Sequence, residues 1–141
     1  MQLKQATEHD KPFLLELRKS TMVEHLEAMG LYLTEEQHVA RSEEHFDCIH
    51  IVECRGRRTG MVKTREVGQS FEIRQLQVLP EFQGKGIGRA VMQLFIESAR
   101  SRGKTIVLTV LKKNPAKRLH EKLGFCVVGE DDHEFHMRRE P

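Results

Sequence analysis

A chain of 141 residues is long enough for one domain that buries roughly two thirds of the surface its unfolded form exposes, and nothing in its length asks for a second. With 23 basic against 21 acidic residues the net charge is only +2, which argues against a strong nonspecific grip on nucleic acid or on an anionic membrane. Met1-Gln2-Leu3-Lys4-Gln5 has no apolar export core, and the longest apolar run, Ile106 to Leu111, is broken by Thr109 and is too short to span a bilayer, so a soluble, cytoplasmic protein is expected.

Leu3 to Ala6 reads as a short first strand, and Thr7, Glu8 and Asp10 offer caps for a helix carrying Phe13, Leu14 and Leu17. From Met22 to Leu33 the pattern weakens: Leu26, Met29 and Leu33 keep helical spacing, but Gly30 interrupts it. A second helix is predicted after Thr34, with Glu36 and Gln37 in its first turn. Cys48 to Glu53 reads as a buried strand, Arg55 to Gly60 as a turn, and Met61 to Val67 as the antiparallel partner. Arg55, Arg57 and Arg58, without interleaved aromatic residues, fit a solvated hairpin tip better than an RNA contact.

Gly68-Gln69 leads into a strand with Phe71, Ile73, Leu76, Val78 and Leu79, and Pro80 removes the amide that would extend its pairing. Gly84, Gly86 and Gly88 follow at alternate positions, and then Ile87, Val91, Leu94, Phe95 and Ser98 at helical spacing. Such a strand, glycine turn and helix start leaves amides unpaired and lets a ligand approach without meeting a Cβ. With Lys85 and Arg89 beside the positive end of the helix dipole, a phosphate or pyrophosphate suits the turn, although glycines that merely cap the helix would look the same. The spelling fits neither the nucleotide P-loop nor the dinucleotide fingerprint.

After Arg102-Gly103-Lys104, Thr105 to Leu111 reads as a β-branched strand. Asn114 opens a helix with Pro115 at its first position and Ala116, Leu119 and Leu123 inward, and Gly124 ends it. Phe125 to Val128 and Phe135 to Met137 are two last strands joined by Gly129-Glu130-Asp131-Asp132. About six or seven strands and about four helices give an α/β (α+β) single domain around one sheet. Cys48, Cys54 and Cys126 include no CxxC pair and read as small buried hydrophobes. His133 and His136 are spaced so that a strand sends their rings to opposite faces, which disfavours a shared metal.

Gln83-Gly84-Lys85-Gly86-Ile87-Gly88 resembles the Q/R-x-x-G-x-G/A signature of the GNAT superfamily of N-acetyltransferases, whose loop holds the pyrophosphate of acetyl-coenzyme A. Asn114-Pro115-Ala116 and Leu119-His120-Glu121-Lys122-Leu123-Gly124-Phe125 resemble that family's second signature, in the proper order. The resemblance covers about Gln2 to Arg138 and is strong from Phe71 to Val128. It implies a GNAT-like fold with a mixed, mostly antiparallel sheet over residues 1–141, acetyl-coenzyme A as co-substrate, and direct acetyl transfer to the primary amine of a small molecule or a protein. Neither a metal, a nucleic acid nor a membrane is implied, and a homodimer is left open.

By the same resemblance, Leu76, Gln77 and Val78 contact the carrier at the strand end, and the Val78 backbone serves the oxyanion. Gln83, Gly84, Lys85, Gly86, Ile87, Gly88 and Arg89 hold its phosphates, with Lys117, while Asn114 meets the pantetheine arm or simply caps its helix. Glu72 is placed where some members keep a catalytic base, against its plain reading as a residue on the wet face of a strand. His120 stands where the family usually has the tyrosine that protonates the departing thiolate; an unshifted imidazole is a poorer proton source, and a packing role is the other reading. A non-catalytic acyl-coenzyme A-binding or sensor module is the rival from another class, and an RNA-binding accessory protein a weaker third. The acceptor side is expected from the two N-terminal helices, where no residue is diagnostic.

Overall fold

The computed structural model describes all residues from Met1 to Pro141. Seven strands, β1 (Gln2–Gln5), β2 (Ile49–Cys54), β3 (Arg57–Val67), β4 (Ser70–Val78), β5 (Thr105–Leu111), β6 (Cys126–Glu130) and β7 (Glu134–Arg139), form a sheet in the order β1-β2-β3-β4-β5-β7-β6. Four α-helices accompany them: α1 (Lys11–Ala28), α2 (Glu35–Glu43), α3 (Ile87–Ser101) and α4 (Ala116–Lys122). The β4–β5 ladder is parallel, whereas β1–β2, β2–β3, β5–β7 and β6–β7 are antiparallel. The chain divides into two compact units, Met1–Lys63 with Gln75–Ile87, and Thr64–Arg74 with Gly88–Pro141.

In the first unit, the Thr7 amide donates to Asp10 Oδ2 at 2.8 Å and closes a short 3-10 turn that feeds α1. The helix runs for 18 residues through the stretch that read weakly, and Gly30, at φ 79°, then takes the left-handed backbone that stops it. Thr34 and Gln37 form a reciprocal capping box at the start of α2, with bonds of 3.2 and 2.8 Å. Ala6, Leu14, Leu17, Ile49, Ile51, Met61 and Leu79 make the core of this unit. Leu17 and Ile49 have no exposed surface, so each contributes about 1.5–3 kcal/mol through burial.

The β2–β3 connection is tighter than the sequence indicates. Arg55 and Gly56, at φ 53° and 76°, form a two-residue turn, and Arg57 to Gly60 already belong to β3. Arg57 and Arg58 are therefore strand residues with partners: Arg58 Nε lies 2.9 Å from Asp10 Oδ1, and the Arg57 guanidinium sits 5.1 Å from the Phe82 ring centre.

In the second unit α3 buries Val91, Met92, Ile96 and Ala99, while Leu94, expected inside, is exposed. The inward stripe keeps Val91 as predicted but continues through Met92, Ile96 and Ala99 instead of Leu94 and Ser98. Phe71 meets Phe95 with ring centres 5.2 Å apart. Arg102 closes a two-bond fork on Glu66, at 2.5 and 2.8 Å, and Lys104 adds a third contact at 2.9 Å. Glu66 is thereby held down at a pKa of about 2, chiefly by Arg102 and then by Lys104. In α4 the inward residue is His120, whereas Ala116, Leu119 and Leu123 are only half-buried. Cys48 and Cys54 are half-buried and Cys126 is exposed, so the cysteines are not the core residues expected.

Candidate active site

In β4 the buried residues are Phe71, Ile73 and Gln77, with Leu79 just beyond, while Leu76 and Val78 are half-buried. The β4–β5 ladder is short, from Ser70↔Thr105 to Ile73↔Leu108, and β4 runs on to Val78 beyond it. Main-chain groups on that edge of β4 are left without a ladder partner. On the other side the backbone is held closely: a Cβ at Gly60 would lie 2.2 Å from the Gln77 carbonyl oxygen, and the Leu79 amide donates to Thr59 O at 2.8 Å. Gly60 therefore permits the β3–β4 approach that fixes Gln77 and Val78, a role hidden while it read as a turn residue.

Pro80 to Phe82 make one 3-10 turn, after which the chain enters the glycine segment. Gln83 Nε2 donates to the Val78 carbonyl at 2.9 Å, tying the loop back to the strand end. Gly84 and Gly86 have φ 75° and 83°, and a Cβ at either would meet nothing within 4 Å. The amides of Gly84, Lys85 and Gly86 donate to no protein acceptor. A phosphate presented to this loop would find backbone donors and no side-chain obstruction. Lys85 Nζ lies 5.6 Å from the Phe82 ring centre, on a ring also met by Arg57, so Arg57 is a cation beside the loop that the sequence did not reveal. Ile87 opens α3, and Gly88 and the exposed Arg89 follow in its first turn. A Cβ at Gly88 would stand 3.8 Å from Leu119 Cδ2, ordinary contact distance.

The second unit carries the remaining candidates. Asn114 Oδ1 accepts from the Ala116 amide at 2.9 Å, so the side chain does cap the entry to α4 and its amide nitrogen stays free to donate. Lys117 Nζ lies 4.9 Å from the Phe135 ring centre and 3.5 Å from Glu121 Oε2, so its charge is already partly engaged. Glu72 is half-buried, with one oxygen 3.2 Å from Arg74 Nη1. His120 is 7% exposed and packs edge-on to Phe125, with ring centres 5.9 Å apart. Its Nδ1 is buried without a hydrogen-bond partner, and burial pushes the imidazole pKa below the ordinary 6.5. The ring is neutral at pH 7. His136 Nε2 lies 3.3 Å from Asp131 Oδ2.

A strand end with unladdered backbone, a glycine turn with unpaired amides and a helix start flanked by cations are together suited to an anionic, phosphorylated ligand. The family described as "Acetyltransferase (GNAT) family" matches residues 11–125, and the chain belongs to it. Among curated relatives, the chain is 35% identical over 94 residues to spermidine N(1)-acetyltransferase of Escherichia coli (strain K12), covering 60% of this chain and 48% of that protein. It is 34% identical over 89 residues to N-acetylaspartate synthetase of Danio rerio, covering 60% of this chain and 32% of that one. The chain thus spans about half the length, or less, of these relatives. The PaiA N-acetyltransferase from Thermoplasma acidophilum, solved with coenzyme A, has the same fold, with a TM-score of 0.78 over 99% of this chain and 98% of that one at 17% identity. No helix of this chain is long and apolar enough to cross a membrane.

Proposed function

We propose that residues 1–141 form one acetyltransferase domain that moves an acetyl group from acetyl-coenzyme A to the primary amine of a small molecule or a protein, in the cytoplasm. The observation that carries this is the loop at Gly84 to Gly86, with three unpaired amides and open space at both left-handed glycines. The pyrophosphate of coenzyme A is written onto those amides, with Gln83, Ile87, Gly88 and the Lys85 and Arg89 charges around it. Leu76, Gln77 and Val78 contact the pantetheine through their backbone, Asn114 through its free amide nitrogen, and Lys117 a phosphate. The relatives' names span a polyamine and an amino acid product, which supports an amine acceptor without choosing between them.

In this reading the amine loses a proton to Glu72, directly or through water, and its nitrogen attacks the thioester carbonyl. The C–N bond forms while the Val78 amide steadies the oxyanion, and the C–S bond then breaks. The departing thiolate, whose conjugate acid has a pKa of about 8.5, leaves without full protonation. A neutral His120 aids it only through a ring N–H hydrogen bond, because burial disfavours the imidazolium.

The neutral His120 also lends support to a second reading, an acyl-coenzyme A-binding or sensor module that performs no transfer. Free thiol release from acetyl-coenzyme A, with mass detection of acetylated products across an amine panel, separates the two. Transfer yields both products in equal amounts, whereas a sensor binds the thioester and releases neither.

A further inference from the structure

β1 and β6 are the two edges of the sheet, and they are built differently. β1 is Gln2-Leu3-Lys4-Gln5, a short polar strand with a lysine, which discourages a further strand from adding to it. β6 is Cys126-Val127-Val128-Gly129-Glu130, uncharged until its last residue and exposed along its whole length, with Val127 at 41% and Val128 at 64%. None of these residues makes a main-chain hydrogen bond outside the ladder with β7, so the outer edge keeps donors and acceptors unpaired. Val128, the extra residue where that ladder shifts register, is the most exposed large apolar residue of the second unit. An open recess of about 330 Å³ lies beside it, lined by Cys126, Val128, Arg138 and Arg139 with Gly124 and Glu140. Charge is sorted along the strand. Arg138 lies opposite Cys126 at its start, next to Arg139, whereas Glu130 ends it and Asp131 and Asp132 follow.

We propose that β6 is a docking edge for a second copy of this chain, which adds its own β6 antiparallel about a two-fold axis near Val128. Reversing the second strand lays the basic start of one β6 against the acidic end of the other, and the match occurs twice. A parallel partner would set like charges side by side. At the axis Val128 meets its own copy. Val127 faces Gly129 of the partner subunit, and a Cβ at Gly129 would touch only the His136 side chain, at 3.9 Å, so there is room. Arg138 already bonds Glu140 at 2.7 Å and Glu130 bonds Lys112 at 2.5 Å, but such exposed pairs are worth little and exchange partners readily. The contact is isologous and uses up the edge, so assembly stops at two copies. A strand this short buries a small area, which sets the dimer in the micromolar rather than the nanomolar range. The inference does not depend on the acetyltransferase reading.

Sedimentation equilibrium of the full chain, from low to high micromolar concentration, tests this, and a reversible monomer–dimer equilibrium is expected. Val128→Lys, at a position too exposed to disturb folding, should weaken association by about ten-fold or more, because it sets two like charges at the axis. Arg138→Glu should weaken it as well, by opposing acidic groups at both ends. Leu94→Lys, at an exposed apolar position on α3, is the control and should leave the equilibrium unchanged. Register is read by crosslinking in a Cys126→Ser background. Val128→Cys should join two copies under mild oxidation, and Glu130→Cys should not, because antiparallel pairing sets position 130 against position 126. A chain that stays monomeric throughout overturns the proposal and leaves the edge bare or open to a different protein. A dimer that neither Val128→Lys nor Arg138→Glu weakens, or one that crosslinks at 130 rather than at 128, overturns it by moving the contact to another surface or register.

Discussion

Replacing Gly86 by alanine separates the energy of the loop's backbone from that of its ligand. At φ 83° an alanine is forced into the left-handed region, costing about 1–2 kcal/mol, and nothing lies within 4 Å of the new methyl to add a clash. For a chain of this size that is a fall in Tm of about 3–6 °C. Coenzyme A meets a larger penalty, because the methyl projects into the open space beside the free amides. Loss of one charge-assisted hydrogen bond costs about 1.5–3 kcal/mol, or roughly ten- to a hundred-fold in Kd. Gly56→Ala is the control: its φ is 76° and its surroundings are equally open, but it sits at the β2–β3 hairpin. Both variants are expected to melt a few degrees lower, and calorimetric titration with coenzyme A is expected to distinguish them sharply. If Gly86→Ala binds coenzyme A as the parent does, the loop is a helix cap and the reasoning fails.

Glu72→Gln removes the group assigned to take the amine's proton, and a steep loss of kcat near neutral pH is expected; an unaltered pH–rate profile takes Glu72 out of the mechanism. His120→Phe should lower kcat by about ten-fold or less, since a neutral ring supplies no full proton, and turnover at the parental rate would end any role in leaving-group departure. The same histidine has a folded-state pKa below its ordinary 6.5, so its contribution to stability is present above that value and is lost as pH falls below it; His120→Phe should flatten that part of a urea-denaturation profile. Glu66, at about 2 against an ordinary 4.5, stabilises the protein above pH 4.5 and ceases to do so as pH falls toward 2. Glu66→Gln should remove that acid dependence, and a variant as acid-sensitive as the parent would contradict the fork with Arg102.

The parts legible from sequence are those fixed by neighbours along the chain. Thr34 and Gln37 announce the α2 capping box by spacing alone, and Thr105 to Leu111 is a strand because little else suits so β-branched a run. The glycine loop declares itself because its positive φ values require that residue type. What escaped notice depends on distant contacts. Arg55 takes a left-handed backbone without being glycine, so the two-residue hairpin reads as a longer turn and Gly60 is mistaken for part of it. Leu94 follows the helical spacing yet faces solvent, because the packed face of α3 is set by Met92, Ile96 and Ala99. Arg18 left one signal, a charge directly after Leu17 and one turn on from Leu14, which looks like an ordinary helix-surface cation until its burial is known.

In the proposed function the amides of Gly84, Lys85 and Gly86 take up the pyrophosphate of coenzyme A. Amide resonances followed during titration address it residue by residue. Coenzyme A is expected to shift those three signals strongly, and pantetheine, which lacks the phosphates, to leave them nearly in place. Three unmoved amides under saturating coenzyme A, or equal shifts with pantetheine, would contradict the account.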